Sequence, residues 1–374
     1  MVLKSLLKDI VSRTPRSAET PVEHPSGAPR PCDDWLRDIV VRAFMLMHRS
    51  EPDNFDAVRY RGRPSNEFFY DQHADYFLML LRNVDRFHHA RQLLADDASR
   101  ALFDTLVLYR ILGHLHVRLP FNTPENRAQV ARAQEWWRED TADTGPFGPL
   151  AIYEVPRVDG NIRVKCWKEN VTYTFLYRQY YFEREGVAVR PEAGHHAIDA
   201  GGCFGDTALG FADAVGAAGH VYAFDPLPKH CAIMREQLAL NPRLAPRISI
   251  YPYGLSDHDN DVPLLVEDGV INPGARLAAA EMPMATIDRM VAQAGAPRVD
   301  FIKMDIEGSE LAALRGAEST IRRWKPRLAI SLYHRPEDFF TIPAWLDALG
   351  IGYRFFLDHY SIHQEETVLF ATAS

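Results

Sequence analysis

The sequence predicts an α/β fold, in which a mainly helical N-terminal region precedes a mostly parallel β-sheet with an antiparallel last strand. Three observations support this prediction. From about residue 196 onward, β-rich runs alternate with amphipathic helical runs, the pattern of a parallel sheet covered on both faces. The last two β-rich runs have no helix between them, so they should pair antiparallel. Residues 34–140 repeat apolar side chains at helical spacing.

Composition and charge restrict the class of protein. Of the 374 residues, 47% are hydrophobic and 25% are charged, which is typical of a globular chain of one large or two ordinary domains. The net charge of −8 disfavours a nucleic-acid partner. No apolar run approaches the ~20 residues that span a bilayer, so stable membrane insertion is not expected. Because the chain lacks a secretory signal and any C-x-x-C spacing, we expect a cytoplasmic protein whose four cysteines are free thiols.

The N-terminal part is predicted to comprise a flexible segment, residues 1–33, and a helical domain, residues 34–145. Residues 12–33 are rich in proline, serine, threonine and charge, so they cannot bury a core. Trp35 and Ile39 begin the helical spacing that follows. No motif assigns chemistry to the helical domain, and formation of a homo-oligomer through it is one option.

Residues 146–374 are predicted to form a second domain. Two β-rich runs separated by an Asp-Gly turn predict a hairpin at 150–167, and an aromatic-rich helix is predicted at about 169–184. The predicted strands of the sheet are 196–200, 220–224, 247–252, 299–304, 327–333, 352–357 and 366–372. The predicted helices between them are 206–216, 228–240, 309–323 and 341–349.

The stretch IDAGGCFGDTALGFA, residues 198–212, predicts a buried strand, a glycine-rich turn and the start of a helix. The glycines of this turn are Gly201, Gly202 and Gly205. They allow the backbone to approach a ligand closely, and the helix N-terminus presents free N–H groups to an anion. A nicotinamide dinucleotide site would need a glycine where Ala200 stands. Sites for S-adenosylmethionine begin with an acidic residue two places before the first glycine, as Asp199 does, so the turn favours the methyl donor.

Acidic and polar residues at the ends of the next two strands extend this prediction. Asp225 ends the strand GHVYAFDP, where a carboxylate can accept hydrogen bonds from both ribose hydroxyls of a nucleoside cofactor. Ser256 and Asp257 follow the third strand and are candidates for the adenine edge. Turn formation alone is the alternative explanation for these two residues.

The fourth strand carries two further carboxylates. In VDFIKMDIEGSELAALRGA, Asp305 and Glu307 are two residues apart, so both face one side of an extended segment. Gly308 then ends the strand, and a helix follows from Ser309. Two carboxylates at the carboxyl end of a strand, beside the glycine turn, indicate a ligand pocket.

These stretches occur in order and resemble the FkbM family of S-adenosylmethionine-dependent methyltransferases. The fourth-strand signature is the most specific, and its residues are Lys303, Asp305, Glu307, Gly308, Glu310, Leu314 and Gly316. The resemblance covers about residues 150–374. It implies the Rossmann-like, seven-stranded sheet of class I methyltransferases, and methyl transfer, usually to oxygen, on natural products, sugars or lipid-linked glycans. Cys203 stands where class I enzymes often have glycine, which leaves the path of the turn open.

The candidate catalytic residues are Asp305, Glu307, His334 and His359. His334 ends a strand that neighbours the Asp305 strand in a class I sheet, and its ordinary pKa near 6.5 suits a general base. His359 is a second candidate at the same edge. The carboxylates Asp305 and Glu307 together with His334 could instead bind a divalent metal, although the sequence favours a site without one.

The function predicted from the sequence is therefore O-methylation of a small-molecule or glycan acceptor by S-adenosylmethionine. Two alternatives are left open. One is N-methylation of a similar acceptor, and the other is a nicotinamide-dependent oxidoreductase, against which Ala200 argues. The aromatic residues at 173–182 are candidates either for a pocket wall or for the core.

Overall fold

The computed structural model describes residues 30–51, 54, 70–141, 147–260 and 282–373. Residues 1–29, most of the segment predicted to be flexible, lie outside the described residues. The N-terminal part is helical, as the apolar spacing predicts. Its helices are α1 (Pro31–Leu46), α2 (Tyr70–Arg82), α3 (Val84–Leu93), α4 (Asp97–Leu112) and α5 (Pro124–Glu135).

The segment between these helices and the main sheet forms two small antiparallel units. The first contains β1 (Trp137–Asp140), β2 (Ala151–Val155) and β3 (Ile162–Cys166), of which β2 and β3 are the predicted hairpin. Helix α6 (Lys168–Val171) continues as a π-helical turn, Thr172–Tyr177, and is followed by a hairpin of β4 (Phe182–Arg184) and β5 (Val187–Val189).

The aromatic helix predicted at about 169–184 is therefore too long. The chain leaves the helical conformation at Arg178, whose φ is +54°. Tyr180 and Phe182 are both buried, which is the alternation of a strand. A cluster of aromatic side chains does not distinguish these two conformations by itself, because aromatic residues are common in both.

The central sheet has seven strands and confirms the predicted fold class. The strands are β6 (His196–Ala200), β7 (His220–Phe224), β8 (Ile248–Tyr251), β11 (Phe301–Met304), β12 (Arg327–Ser331), β13 (Tyr353–His359) and β14 (Thr367–Ala373). Their order is β13–β14–β12–β11–β6–β7–β8. Strand β14 is antiparallel to both of its neighbours, and the other pairs are parallel. A short parallel pair, β9 (Gly254–Leu255) and β10 (Met284–Ala285), lies outside this sheet.

Helices follow the strands along the chain. They are α7 (Asp206–Val215), α8 (Pro228–Leu240), α9 (Ile287–Gln293), α10 (Glu310–Arg315), α11 (Glu318–Trp324) and α12 (Asp338–Ala348). The single helix predicted at 309–323 is divided into α10 and α11 at Gly316. A Cβ atom on Gly316 would lie 2.0 Å from the Ser256 carbonyl oxygen, so only glycine fits at this position.

The two faces of the sheet bury two separate apolar cores. One face, with Ile198 and Ile302, packs against α1–α4 and α9–α12. The other face, with Ala197 and Phe301, packs against the β2–β3 hairpin, the π-helical turn, α7 and α8. The helices of residues 34–145 thus share a core with the sheet, and the predicted domain boundary at 145 stays a prediction.

Helix α4 and the residues before it cover the edge of the sheet. The Ala95 N–H donates to the Phe355 carbonyl at 2.7 Å, and the Leu357 N–H donates to Ser99 Oγ at 2.9 Å. Strand β13 therefore has polar partners on its outer side. Within the described part of the chain, no helix has the length and apolar character needed to cross a membrane.

Candidate active site

The glycine turn leaves the end of β6 and bends toward β11. Gly201 and Gly205 have φ angles of +82° and +89°, which glycine adopts without steric cost. A Cβ atom on Gly201 would lie 1.9 Å from the Asp305 carbonyl oxygen. The N–H groups of Gly201 and Gly202 both donate to the Phe224 carbonyl at 2.9 Å. The turn is therefore packed between β7 and β11, and its role in binding a ligand stays a prediction.

Asp225, at the end of β7, is bonded to the same turn. Its Oδ2 accepts from the Cys203 N–H at 3.0 Å, and its Oδ1 accepts from the Leu227 N–H at 2.9 Å. His230 Nδ1 also lies 3.0 Å from Oδ2. Cys203 has a φ of +45°, so a non-glycine residue adopts the left-handed conformation at the middle of the turn. Asp225 stabilises this conformation and faces the turn from the neighbouring strand.

A buried ion pair lies beneath the turn. Lys303 and Asp199 are directly opposite each other on β11 and β6, and their side chains meet at 3.0 Å. Lys303 Nζ also donates to the carbonyls of Ala200 and Gly201 at 3.1 and 2.6 Å. Thr207 Oγ1 donates to Asp199 at 2.6 Å. Burial alone would lower the pKa of Lys303, but Asp199 and Asp305 outweigh it and raise this pKa above its usual range.

A cavity of about 530 Å³ opens beside the turn. Gly201 and Cys203 lie on one side of it, Asp305 and Lys303 line the end of β11, and Tyr180 comes from the segment after the π-helical turn. Asp199 is fully buried and is not among the lining residues, so it reaches the cavity through Lys303. The predicted strand-end pocket thus has space for a ligand of small-molecule size.

Asp305 is one of the carboxylates that line the cavity. Tyr180 Oη donates to its Oδ2 at 2.6 Å, and Tyr333 Oη donates to its Oδ1 at 2.9 Å. Burial alone would raise the pKa of Asp305. The charges of His334 and Lys303, together with the two tyrosine hydroxyls, lower this pKa below its usual range. Asp305 is therefore ionised at neutral pH and already oriented.

His334 lies among three carboxylates. Its Nδ1 is 2.8 Å from Glu310 Oε1, and its Nε2 is 3.3 Å from Asp305 Oδ1 and 3.6 Å from Glu307 Oε2. Burial alone would lower the pKa of His334, but the neighbouring carboxylates outweigh burial and raise the pKa to about 9. The side chain is then an imidazolium at neutral pH. The prediction of His334 as a general base assumed an ordinary pKa near 6.5, which the structure does not bear out.

The remaining predicted residues occupy different positions. Glu307 has a φ of +56° and a side chain that is 94% exposed, and neither it nor His334 lines the cavity. His359 is buried and bonded to Thr367 Oγ1 at 2.9 Å, and burial lowers its pKa to about 3. His359 is not among the residues that line the cavity. Ser256 is buried and Asp257 is half exposed after β9, and neither lines the cavity.

The spacing of possible metal ligands differs from the predicted set. Among the described residues, Asp305, Glu310 and His334 each offer one ligand atom, and these atoms lie within 4.8 Å of one another. Glu310 replaces Glu307 in this group. Because the imidazolium already provides the positive charge between the carboxylates, a metal ion would have to displace its proton. The arrangement fits a protonated ion-pair network better than a metal site at neutral pH.

Three residues of this network were not assigned roles from the sequence. Lys303 is a charged residue within an apolar strand, and it becomes informative once the register opposite Asp199 is known. Glu310, fully buried, accepts from the Ile306 N–H at 2.8 Å and so holds the end of β11. Tyr333 precedes His334 and bonds Asp305, a contact that no local pattern indicates.

The sheet order, the strand-end glycine turn and the inserted antiparallel strand define the fold of a class I methyltransferase. Residues 199–355 match the family model described as the methyltransferase FkbM domain. The resemblance inferred from the sequence motifs is thereby confirmed. A search of curated proteins found no match to this sequence.

Solved structures resemble the chain at low sequence identity. The methyltransferase FkbM from Methylobacillus flagellatus KT aligns with a TM-score of 0.52 and 20% identity, over 79% of this chain and 60% of that one. The chain thus spans about three fifths of the length of that protein. An O-methyltransferase from Bacillus cereus in complex with SAH aligns with a TM-score of 0.34 and 10% identity, over 68% of this chain and 93% of that one. Fibrillarin from Aeropyrum pernix with natively bound S-adenosyl-L-methionine aligns with a TM-score of 0.34 and 14% identity, over 63% and 99%.

Proposed function

We propose that this protein transfers a methyl group from S-adenosylmethionine to a hydroxyl group of an uncharged small molecule or glycan. The observation that carries the proposal is the position of the cavity. In a region that matches the FkbM methyltransferase domain, the glycine turn that would hold the donor lines the same cavity as the ionised carboxylate of Asp305.

The donor would be held by residues that follow β6, β7 and the short strand β9. The turn and the N-terminus of α7 suit its methionine carboxylate, and Asp225 suits its ribose. Ser256 and Asp257 are the candidates for its adenine. When bound, the donor supplies a methyl group that is already activated by the sulfonium charge. The protein then has to align the acceptor with that methyl group and accept one proton.

Asp305, rather than His334, suits the acceptor hydroxyl. An ionised carboxylate can accept a hydrogen bond from this hydroxyl and orient its oxygen toward the donor. Methylation converts the hydroxyl oxygen into a strongly acidic oxonium, so a weakly basic carboxylate is sufficient to take its proton. With a pKa of about 9, His334 is already protonated, and it acts instead as the countercharge that keeps Asp305 ionised.

The charges of the cavity support an uncharged acceptor. Its lining includes the carboxylates of Glu169, Asp206, Asp305 and Glu366, whereas its lysine, Lys303, is already paired with Asp199. An anionic acceptor would be repelled. An amine acceptor would be held as an ammonium ion, which has no lone pair for the methyl group. Trp167 and Tyr173, with the amides of Asn170 and Gln179, suit a polyhydroxylated compound.

The first experiment measures donor binding by titration calorimetry with S-adenosylmethionine and with NAD. We expect binding of the former alone. Gly201→Ala should weaken it at least tenfold, because the new Cβ atom would overlap the Asp305 carbonyl. Gly216→Ala is the matched control, since Gly216 also has a positive φ, +67°, but a Cβ atom there would have no atom of the described residues within 4 Å. Equal affinity of the two variants would remove the turn from the donor site.

The second experiment identifies the acceptor. Isotopically labelled methyl donor is incubated with the protein and fractionated neutral and anionic metabolites, and the labelled products are identified by mass spectrometry. We expect methyl ethers in the neutral fraction. Asp305→Asn should lower turnover at least a hundredfold more than it lowers donor affinity. Labelled products found only in the anionic fraction, or as methylamines, would contradict the proposal.

A further inference from the structure

The loop between β13 and β14, residues 360–366, forms part of the cavity wall. It contributes His363 and Glu366 to the lining. The Tyr360 N–H donates to the Glu366 carbonyl at 3.0 Å and closes the loop. Within it, Ser361 Oγ accepts from the His363 N–H at 3.1 Å and donates to the Glu365 carbonyl at 2.6 Å. The position of these two lining residues therefore depends on the conformation of the whole loop.

Helix α4 holds this loop from the N-terminal part of the chain. Tyr109 Oη donates to the Ile362 carbonyl at 3.0 Å, and Arg110 Nη2 donates to the Gln364 carbonyl at 3.0 Å. Two consecutive helix residues thus bond the carbonyls on either side of His363. The two residues of each hydrogen bond are far apart in the sequence, by 253 positions for Tyr109 and Ile362 and by 254 positions for Arg110 and Gln364.

The contact from Arg110 requires a charged guanidinium to be buried, which is unfavourable. The residue is 5% exposed, and the described residues include no salt bridge to its guanidinium. Burial lowers the pKa of Arg110, and Tyr76 and the more distant carboxylates of Glu365 and Asp338 offset this only in part. The guanidinium lies 4.4 Å from the Phe339 ring and 5.5 Å from the Tyr76 ring. A buried cation without an ion pair costs more than an apolar residue of similar size. Packing alone does not explain an arginine at this position, whereas holding a carbonyl of the cavity loop does.

We propose that Tyr109 and Arg110 are positioning residues that fix the 360–366 loop, and that the helical N-terminal part thereby determines which acceptors fit the cavity. The second part of this inference rests on the proposed function, because it takes the loop to contact the methyl acceptor rather than the donor. The donor-binding turn lies on β6, four strands from β13, and is held by Lys303 and Asp225 without help from α4.

The test uses the full chain with Tyr109→Phe and Arg110→Met, each of which removes one hydrogen bond to the loop. Tyr76→Phe is the matched control. It makes the same chemical change in the same group of helices, but the Tyr76 hydroxyl has no hydrogen-bond partner among the residues that the structure describes. Hydrogen–deuterium exchange is measured on peptides that span 360–366, and affinity is measured for S-adenosylhomocysteine. Steady-state kinetics use the acceptor found in the labelled-donor screen.

We expect amide exchange of the loop to accelerate about tenfold in both variants and to stay at the wild-type rate in Tyr76→Phe. The KM for the acceptor should rise about tenfold, with kcat changed less and affinity for S-adenosylhomocysteine within twofold. Arg110→Lys should restore part of the wild-type KM, because it returns a cationic donor. Wild-type exchange of the loop in Tyr109→Phe, which is the least disruptive change, would overturn the proposal. If wild-type protein methylates nothing, the proposed function fails, while the exchange result still decides whether α4 holds the loop.

Discussion

His334 is positively charged because three carboxylates surround it. This charge is expected to make donor binding depend on pH. A cationic donor in the neighbouring cavity would repel the imidazolium and lower the pKa of His334. Donor binding and proton release from His334 are therefore expected to be coupled. Such coupling would make the affinity for the donor increase as the pH rises toward 9.

The same charge makes stability depend on pH. His334 has a pKa of about 9 in the folded protein, against about 6.5 for an unfolded histidine. The ion pairs therefore contribute fully below pH ~6.5, by about 3 kcal/mol, and this contribution is lost as the pH rises through about 9. We expect His334→Gln to lower the free energy of unfolding in urea at pH 6.5 much more than at pH 9.5. His89→Gln, at an exposed position of α3, should lower it by little at either pH. A His334→Gln effect that is constant with pH would contradict the ion-pair assignment.

Individual residues of the site were predictable where a local pattern fixes a backbone conformation. Gly201, Asp225 and Asp305 could be placed because a glycine turn and strand ends position them. The charge of His334 could not be predicted, because it depends on Glu310, which lies 24 positions earlier and meets it through the packing of α10 against the end of β12. The role of Lys303 likewise requires the register of β11 on β6.

At the scale of elements, the contact between α4 and β13 protects the edge of the sheet. Ser99 is fully buried at the first turn of α4, where its N–H donates to the Asp96 side chain at 2.6 Å and its hydroxyl accepts from the Leu357 N–H. An open strand edge would offer unpaired backbone groups to other chains. Helix α4 therefore provides a hydrogen-bond partner for the backbone of β13 on the edge opposite β14.

Removing the Ser99 hydroxyl should destabilise the protein. Ser99→Ala leaves the buried Leu357 N–H without its acceptor, which costs about 1–3 kcal/mol. Thr105→Ala on the same helix removes an exposed hydroxyl that bonds only the Ala101 carbonyl, so its effect should stay within about 0.5 kcal/mol. Urea unfolding of both variants measures the difference. Equal stability of the two would show that the α4 contact does not secure the edge.

The elements themselves were largely predictable from periodicity. The seven strands of the main sheet and helices α7, α8 and α12 lie within a few residues of their predicted positions. The errors occur where tertiary contacts override local preference. Gly316 interrupts one helix because the Ser256 carbonyl passes against it, and Arg178 ends another in a left-handed conformation.

At the scale of the whole molecule, the N-terminal helices complete a core rather than standing beside one. Trp35, Leu80 and Phe87 belong to the same apolar cluster as Ile198 and Ile302 of the sheet. Without these helices, the part of this face that α9–α12 do not cover would be exposed to water. The sequence indicates helices in this region, but it does not indicate the surface against which they pack, since an apolar stripe does not specify its partner.

This shared core predicts the behaviour of a shortened chain. A protein that begins at residue 147 should bind an apolar fluorescent dye such as ANS, elute as aggregates in size-exclusion chromatography and show no cooperative thermal transition. The full chain, as the control, should melt in one step. A shortened chain that is monomeric and melts cooperatively would show that residues 146–374 form an independent domain, as the sequence analysis expects.

The position of β14 has a consequence for the biogenesis of this protein. Although β14 follows β13 in the chain, it lies between β13 and β12, so the sheet cannot grow outward in the order of synthesis. Until β14 inserts between them, β12 and β13 have facing edges without a partner. A folding intermediate that lacks this insertion is the form in which we expect chaperone capture and aggregation to concentrate.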